Sequence, residues 1–328
     1  MNEPVVDLLR RAADLQREGR SAVLCLLVQA RGSTPQSAGA LMLIDDAANM
    51  HGTIGGGCVE AEVRREALRM INESSSGVLR FKLDHDYGWD DGLICGGTIE
   101  LAVAAPPDIE TLDRIVDDLT HRRPTHLDLL VSTDAGDARY RLDLPPRERL
   151  YIAGAGHVGQ ALARQSLLLE FDVTIFDDRA DLLARFAPPG VRTDTGSIAE
   201  RLRAAPIDGE TYCVIVTRGH RHDEQALRAV VDRGAKYLGM IGSRRKVKLI
   251  FDDLIERGVR PEALEVVHAP IGLDVNAVSV EEIGISIAAQ LVQTRRSERR
   301  SSVSGPHLDD PNHNQRPDAC SVTTGARI

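Results

Sequence analysis

The sequence predicts an α/β protein with a mixed α+β domain first and a doubly wound parallel sheet after it. Two observations carry this. From Leu150 onward, apolar strand-like runs alternate with helical patterns, which is the pattern of a parallel sheet covered on both faces. The first of those runs ends in Gly154-Ala155-Gly156-His157-Val158-Gly159, a complete G-x-G-x-x-G, and Asp177-Asp178 closes the next strand about 20 residues on, as a dinucleotide fingerprint requires. The second half is therefore read as Rossmann-type. The expected divisions are a first domain over 1–144, a Pro-Pro linker over 145–149, the Rossmann-type domain over 150–293 and a disordered polar tail over 294–328.

In order along the chain, Val5, Leu8, Leu9, Ala12 and Leu15 recur at helical spacing and Gly19 stops that helix. Ser21 to Ala30 is a nearly unbroken apolar run that suits a buried strand. A loop, Arg31-Gly32-Ser33-Thr34-Pro35, leads to a strand over 39–45, a turn at Asp45 to Asn49 and a short strand over 50–54. A helix from about Cys58 to Asn72 has Val59, Val63, Ala67 and Met70 on its buried stripe. Strands are expected at 78–83 and 98–104, separated by a long polar loop holding His85, Trp89 and Cys95. A helix carrying Ile109, Leu112, Ile115, Val116 and Leu119, then strands near 127–132 and 138–144, complete the first domain.

In the second domain, strands are expected at 150–153, 173–176, 212–216 and 237–241, with a last short one at Val266-Val267. Helices are expected after the glycine motif, over 224–232 and over 244–255. Ser279-Val280-Glu281-Glu282 is a capping box that opens a final helix through Leu291.

Composition excludes several functions. The formal net charge of −9 argues against nucleic acid as a partner, and an aromatic content of 3% leaves few platforms on which bases would stack. No apolar run is long enough to span a bilayer. The opening Met1-Asn2-Glu3-Pro4 has neither the basic nor the apolar stretch of a secretory signal, so a cytoplasmic protein with reduced thiols is expected. The five cysteines show no zinc-ligand spacing. Cys25 and Cys213 sit in apolar runs as core thiols, and Cys320 lies in the polar tail.

Chemistry concentrates at glycines. Gly52-Thr53-Ile54-Gly55-Gly56-Gly57-Cys58-Val59-Glu60 places successive backbone amides and a thiol at the start of a helix, which reads as a cradle for an anion with sulfur at its rim. Asp90-Asp91-Gly92-Leu93-Ile94-Cys95-Gly96-Gly97 repeats the idea. In the second domain Gly154, Gly156, His157 and Gly159 form the turn and helix start. Asp177 or Asp178 would accept from a ribose hydroxyl if the ligand is NAD-like. Thr217 to Asp223 is read as a loop at the sheet's carboxyl edge. There Arg218 and Arg221 suit phosphate, and His220 or His222 suits proton transfer or metal ligation. Ser243 and Arg244 open a similar anion-friendly helix start.

Together Gly32-Ser33-Thr34-Pro35, the Gly52 to Glu60 run and Gly92 to Gly97 resemble the N-terminal domain of the XdhC/CoxI family. Gly154 to Gly159, Thr217 to His220, Gly239 to Arg244 and His268 to Asp274 resemble that family's C-terminal Rossmann domain. The resemblance spans nearly the whole chain apart from the tail. It implies an accessory chaperone rather than an enzyme. Such a protein binds molybdenum cofactor, as molybdopterin or its nucleotide form. It supports the cofactor's sulfuration with a cysteine desulfurase and inserts it into an apo molybdenum hydroxylase of the xanthine dehydrogenase type. The resemblance further implies a homodimer, and Cys58 and Cys95 would then face the metal, whose soft character accepts thiolate. The Rossmann domain would hold the pterin or its nucleotide form, or a separate dinucleotide. Two other functions fit the residues alone: an NAD(P)- or flavin-linked oxidoreductase, and a ligand-sensing module without chemistry.

Overall fold

A computed structural model describes residues 5–83, 97–133, 136–186, 188–297 and 303–305. Two compact units divide the chain, Met1–Pro146 with Arg300–Ile328, and Arg147–Arg299.

The first unit runs α1 (Val5–Arg17), β1 (Ala22–Arg31), β2 (Leu41–Asp45), β3 (Met50–Gly52), α2 (Gly57–Glu73), β4 (Gly77–Leu83), β5 (Gly97–Ala104), α3 (Ile109–Thr120), β6 (Thr125–Thr133) and β7 (Gly136–Leu144). Five strands form an antiparallel sheet in the order β3-β2-β1-β5-β4. β1 lies in its centre and is buried on both faces, which is why its sequence is continuous rather than alternating. On one face Leu24, Leu26, Leu41 and Leu43 meet Leu8, Leu9, Ala12 and Leu15 of α1 and Leu112 and Ile115 of α3. On the other, Val23, Cys25, Leu27 and Met42 meet Val63, Ala67 and Met70 of α2. Each fully buried leucine contributes on the order of 2 kcal/mol of apolar transfer.

The turn after β2 is built by Asp45, a fully buried carboxylate that accepts from Ala47 N at 3.0 Å, Asn49 N at 2.9 Å and Asn49 Nδ2 at 3.0 Å, and pairs with Arg20. β6 and β7 form a separate hairpin whose inward residues Leu127, Leu129 and Leu142 join the first of these cores.

The second unit runs β8 (Arg149–Ala153), α4 (His157–Leu168), β9 (Asp172–Asp177), α5 (Ala180–Phe186), β10 (Val191–Thr195), α6 (Ile198–Ala204), β11 (Thr211–Ile215), α7 (His220–Val230), β12 (Tyr237–Met240), α8 (Arg244–Glu256), α9 (Pro261–Glu265) and α10 (Val280–Ser297). Its sheet is parallel, in the order β10-β9-β8-β11-β12. The chain winds outward from β8 one way, then returns to β11 and winds the other way. The topological switch therefore falls between the carboxyl ends of β8 and β11, where such sheets bind ligands. Leu162 and Ala163 of α4, Leu183 of α5 and Ile287 and Leu291 of α10 cover one face. Leu202 of α6, Leu227 and Val230 of α7 and Ile250 and Leu254 of α8 cover the other. The capping box opens α10 as its sequence requires: Ser279 Oγ accepts from Glu282 N at 3.2 Å and Glu282 Oε2 accepts from Ser279 N at 2.8 Å.

Three expectations are corrected. Val266-Val267 is not a strand: Val266 caps α9, and it is His268 that bridges to Gly239 beside β12. The polar tail does not begin at 294, because α10 continues to Ser297 with Arg295 and Arg296 in its last turn, where the helix dipole favours them. Nor is the tail without strand, because β13 (Val303–Ser304) pairs antiparallel with Leu142 and Arg141 of β7. α5, β10 and α6 lie in a stretch where the sequence named no elements.

Candidate functional site

In the first unit the glycine run turns the chain from β3 into α2. Gly55, Gly56 and Gly57 have φ of +130°, +80° and +70°, a region that side chains disfavour. A Cβ on Gly55 would lie 2.8 Å from Pro35 Cβ and Cγ, whereas one on Gly56 or Gly57 would meet nothing within 4 Å among the described residues. Gly97, at the start of β5, is pressed against the same loop: a Cβ there would lie 2.5 Å from Ser33 O and 2.7 Å from Arg31 O. Gly55 and Gly97 thus converge on the loop that runs from Arg31 to Pro35.

Here the expected anion cradle is corrected. Two of its amides, those of Ile54 and Gly56, already hold an anion, the Glu60 carboxylate from the first turn of α2. Glu60 Oε1 accepts from Thr53 Oγ1 at 2.5 Å, Gly56 N at 2.8 Å and Ile54 N at 3.0 Å. Burial alone would raise the Glu60 carboxyl, but the bonds from Thr53, Gly56 and Ile54 outweigh it and hold it below the usual glutamate range. The Cys58 side chain, and Cys95 and Gly96 entirely, lie outside the described residues. Cys25 and Cys213 are buried free thiols, each pushed up to about 12 by desolvation.

In the second unit the fingerprint glycines have separate reasons. Gly154 has φ +113°, and a Cβ there would lie 2.6 Å from Val216 O at the end of β11. A Cβ on Gly159 would lie 2.0 Å from Gly154 O, so this glycine lets α4 pack onto the turn. A Cβ on Gly156, the N-cap of α4, would meet nothing within 4 Å among the described residues. His157, the first residue of α4, is exposed.

Asp177, expected as a ribose acceptor, is committed to the chain itself. Its Oδ2 accepts from Ala155 N at 2.7 Å and from Arg179 Nη2 at 2.8 Å, and its Oδ1 from Arg179 Nε at 2.8 Å and Arg179 N at 3.0 Å. Burial would raise it, but the Arg179 and Ala155 bonds bring it down to about 2. Asp178 is partly exposed, and its Oδ2 pairs with Arg218 Nη2 at 2.7 Å.

The expected loop over 217–223 is shorter than its sequence suggests, because α7 starts at His220 with Gly219 as its N-cap. His220 Nε2 lies 3.4 Å from Asp253 Oδ2 of α8. Asp223, which sequence reasoning did not single out, is fully buried, accepts from Thr217 Oγ1 at 2.6 Å and Thr217 N at 3.2 Å, and pairs with Lys246. Its only sequence signal was its place one turn after a glycine that follows a strand. Ser243 caps α8 by accepting from Lys246 N at 3.3 Å, with Arg244 as the first helical residue. Among the described residues no group of three His, Cys, Asp or Glu side chains is placed to hold a metal ion, and no helix is long and apolar enough to cross a membrane.

Fold and site define a two-unit α/β protein: a glycine-rich α+β unit and a Rossmann unit with an intact fingerprint turn. The chain belongs to the XdhC and CoxI family, whose model matches residues 15–82, while the XdhC Rossmann domain matches residues 150–291. It is 25% identical over 311 residues to the molybdenum cofactor insertion chaperone PaoD of Escherichia coli, covering 91% of each chain. It is 23% identical over 324 residues to a Bacillus subtilis protein described as a probable xanthine dehydrogenase subunit, covering 86% of this chain and 96% of that one. YqeB of Escherichia coli is 27% identical over 294 residues, but this chain spans only 47% of its length. A solved structure described as a xanthine dehydrogenase from Bacillus halodurans shares the fold, with a TM-score of 0.78 at 22% identity over 90% of this chain and 97% of that chain.

Proposed function

We propose that this protein is an accessory chaperone that binds molybdenum cofactor and inserts it into a molybdenum hydroxylase of the xanthine dehydrogenase type. The observation that carries the reading is its similarity to PaoD along 91% of both chains, with both units matched by family models. The cofactor is cargo, to be held and released. The residues suit such cargo. Gly57 stands at the start of α2 with no side chain to cover its backbone, and Cys58, the second residue of that helix, is the first proposed sulfur for the soft metal. Cys95 is the second proposed sulfur. The Rossmann unit takes the phosphate-bearing or nucleotide end. Cofactor sulfuration with a cysteine desulfurase, and a homodimer as the working form, complete the proposal.

The test is retention. Protein purified without oxygen is incubated with molybdenum cofactor and desalted, then assayed for bound molybdenum and for pterin fluorescence after oxidation. Equal retention of both by the wild type, with loss in Cys58→Ala or Cys95→Ala, supports the reading. Absence of both from the wild type overturns it.

A further inference from the structure

In the first unit the hairpin of β6 and β7 alternates. Leu127, Leu129 and Val131 of β6 and Tyr140 and Leu142 of β7 are buried, so the residues between them form an outer face. On that face Asp128 stands opposite Arg141, and Leu130 opposite Arg139. The start of α3 borders it. Between the two opens a cavity of about 180 Å³, with Pro107 and Arg114 on one side and His126, Asp128, Leu130 and Arg139 on the other. The Asp128 carboxylate is already committed to Arg141, through Nε to Oδ1 at 2.8 Å and Nη2 to Oδ2 at 3.0 Å. Arg139 Nη1 is left 3.7 Å from that carboxylate and His126 Nε2 3.9 Å, beyond hydrogen-bond reach. Arg114 lies 3.4 Å from Asp118, which Arg123 holds more closely, at 2.7 Å. Both cavity arginines are exposed, and a guanidinium carries more donors than these contacts use. Leu130, opposite Arg139, is 62% exposed, a large apolar side chain on a charged face.

We propose that this face docks an acidic segment of a partner protein, in which an apolar side chain covers Leu130 and Pro107 and neighbouring carboxylates take Arg139 and Arg114. Charge complementarity carries the choice of partner. Two loosely held guanidiniums, from different elements, border one cavity, and the carboxylate beside them is spent on a third. Planar guanidiniums accept carboxylates through paired hydrogen bonds, which fixes the approach of the segment as well as its charge. The apolar side chain is what separates such a segment from a free anion: a small dicarboxylate would satisfy the arginines and leave Leu130 exposed. Exposed ion pairs hold weakly one at a time, so the contact depends on both arginines and on covering the leucine together. Docking here is separate from cofactor binding and stands whether or not that reading does.

Fluorescence anisotropy of labelled peptides titrated with the full chain at low salt tests this. The probes are a peptide centred on Leu-Glu-Glu, its Leu-Gln-Gln counterpart without charge and its Ser-Glu-Glu counterpart without the apolar side chain. The Leu-Glu-Glu peptide is expected to bind at submillimolar concentration, and each counterpart about tenfold more weakly, the size of a charge-assisted hydrogen bond or a buried apolar side chain. Arg139→Gln and Arg114→Gln should each weaken the Leu-Glu-Glu peptide by about the same factor. Leu130→Ser should remove the preference for Leu-Glu-Glu over Ser-Glu-Glu while keeping the preference over Leu-Gln-Gln. Arg185→Gln, an exposed arginine of the second unit, should change nothing. The proposal is overturned if the Leu-Glu-Glu peptide does not bind at millimolar concentration, if it binds no better than Leu-Gln-Gln, or if the Arg139 and Arg114 variants bind it as the wild type does. Competition by free glutarate as effective as that by unlabelled peptide assigns the cavity to a small dicarboxylate and overturns the partner. A change of oligomeric state in Arg139→Gln on gel filtration assigns the face to a second copy and overturns it likewise. Molybdenum retention enters none of these readouts, so this inference and the chaperone reading fail separately.

Discussion

The Glu60 carboxylate accepts the backbone N–H of Gly56, four residues before it, at 2.8 Å. The helix thereby reaches back to fix the loop that launches it. Because Thr53 and Ile54 donate to the same oxygen, one side chain sets the path of the chain from β3 into α2.

Replacing Glu60 should show this in the pH dependence of stability. A carboxylate held below its usual range stabilises the fold above about pH 4.3, its unfolded value, and that contribution is lost as pH falls through the folded value. Glu60→Gln should therefore lower the melting temperature at pH 7 and flatten its decline in acid. An unchanged acid profile would show that the loop is held by other means.

Asp177 makes the same argument with more force. Its folded value of about 2 lies below the unfolded one, so its contribution is full above about pH 4 and vanishes toward pH 2. Asp177→Ala leaves Ala155 N and the half-buried Arg179 without their acceptor, and should cost about 2–4 kcal/mol in urea unfolding at pH 7.

Gly156 and Gly159 should differ in what their loss costs. Gly159→Ala drives a methyl into Gly154 O and should cost about 3 kcal/mol. Gly156 has φ −65° and open space, so Gly156→Ala should melt within a degree or two of the wild type.

Cys25 and Cys213 should resist iodoacetamide at pH 8 in the folded protein, because burial pushes both thiols to about 12. Mass spectrometry of native protein should find them unmodified, and denaturation should expose both. Early labelling of either one would contradict its buried place.

Asp223→Ala should be among the most damaging single changes. It strips a buried counter-charge from Lys246 and the acceptor from Thr217 N and Oγ1, with an expected loss of about 3–5 kcal/mol by chemical denaturation.

What the sequence discloses here is what sterics and periodicity dictate. The spacing of Gly154, Gly156 and Gly159 follows from one turn's contacts, so it could be read directly. The central strand Ala22–Arg31 was plain because burial on both faces leaves an unbroken apolar run. Hydrogen-bond partners were not legible. Asp177 and Asp178 are identical in composition and adjacent, yet one is the bolt of the turn and the other pairs with Arg218 at the surface, a difference set by where Ala155 N and Arg179 lie in space. Likewise the glycine cradle looked empty because nothing linear announces that Glu60 folds back into it. α5 and α6 escaped notice because seven residues are too few for a helical period to stand out.

The pairing of Val303 and Ser304 with β7 has a consequence for how the protein is made. The last strand of the first unit is encoded after the whole of the second. A ribosome will have released every residue of the parallel sheet before that strand emerges, so the outer edge of β7 stays uncovered through roughly half of translation. Synthesis therefore cannot complete the two units one after the other. The first waits, with an open strand edge of the kind that invites wrong partners, until the second has passed.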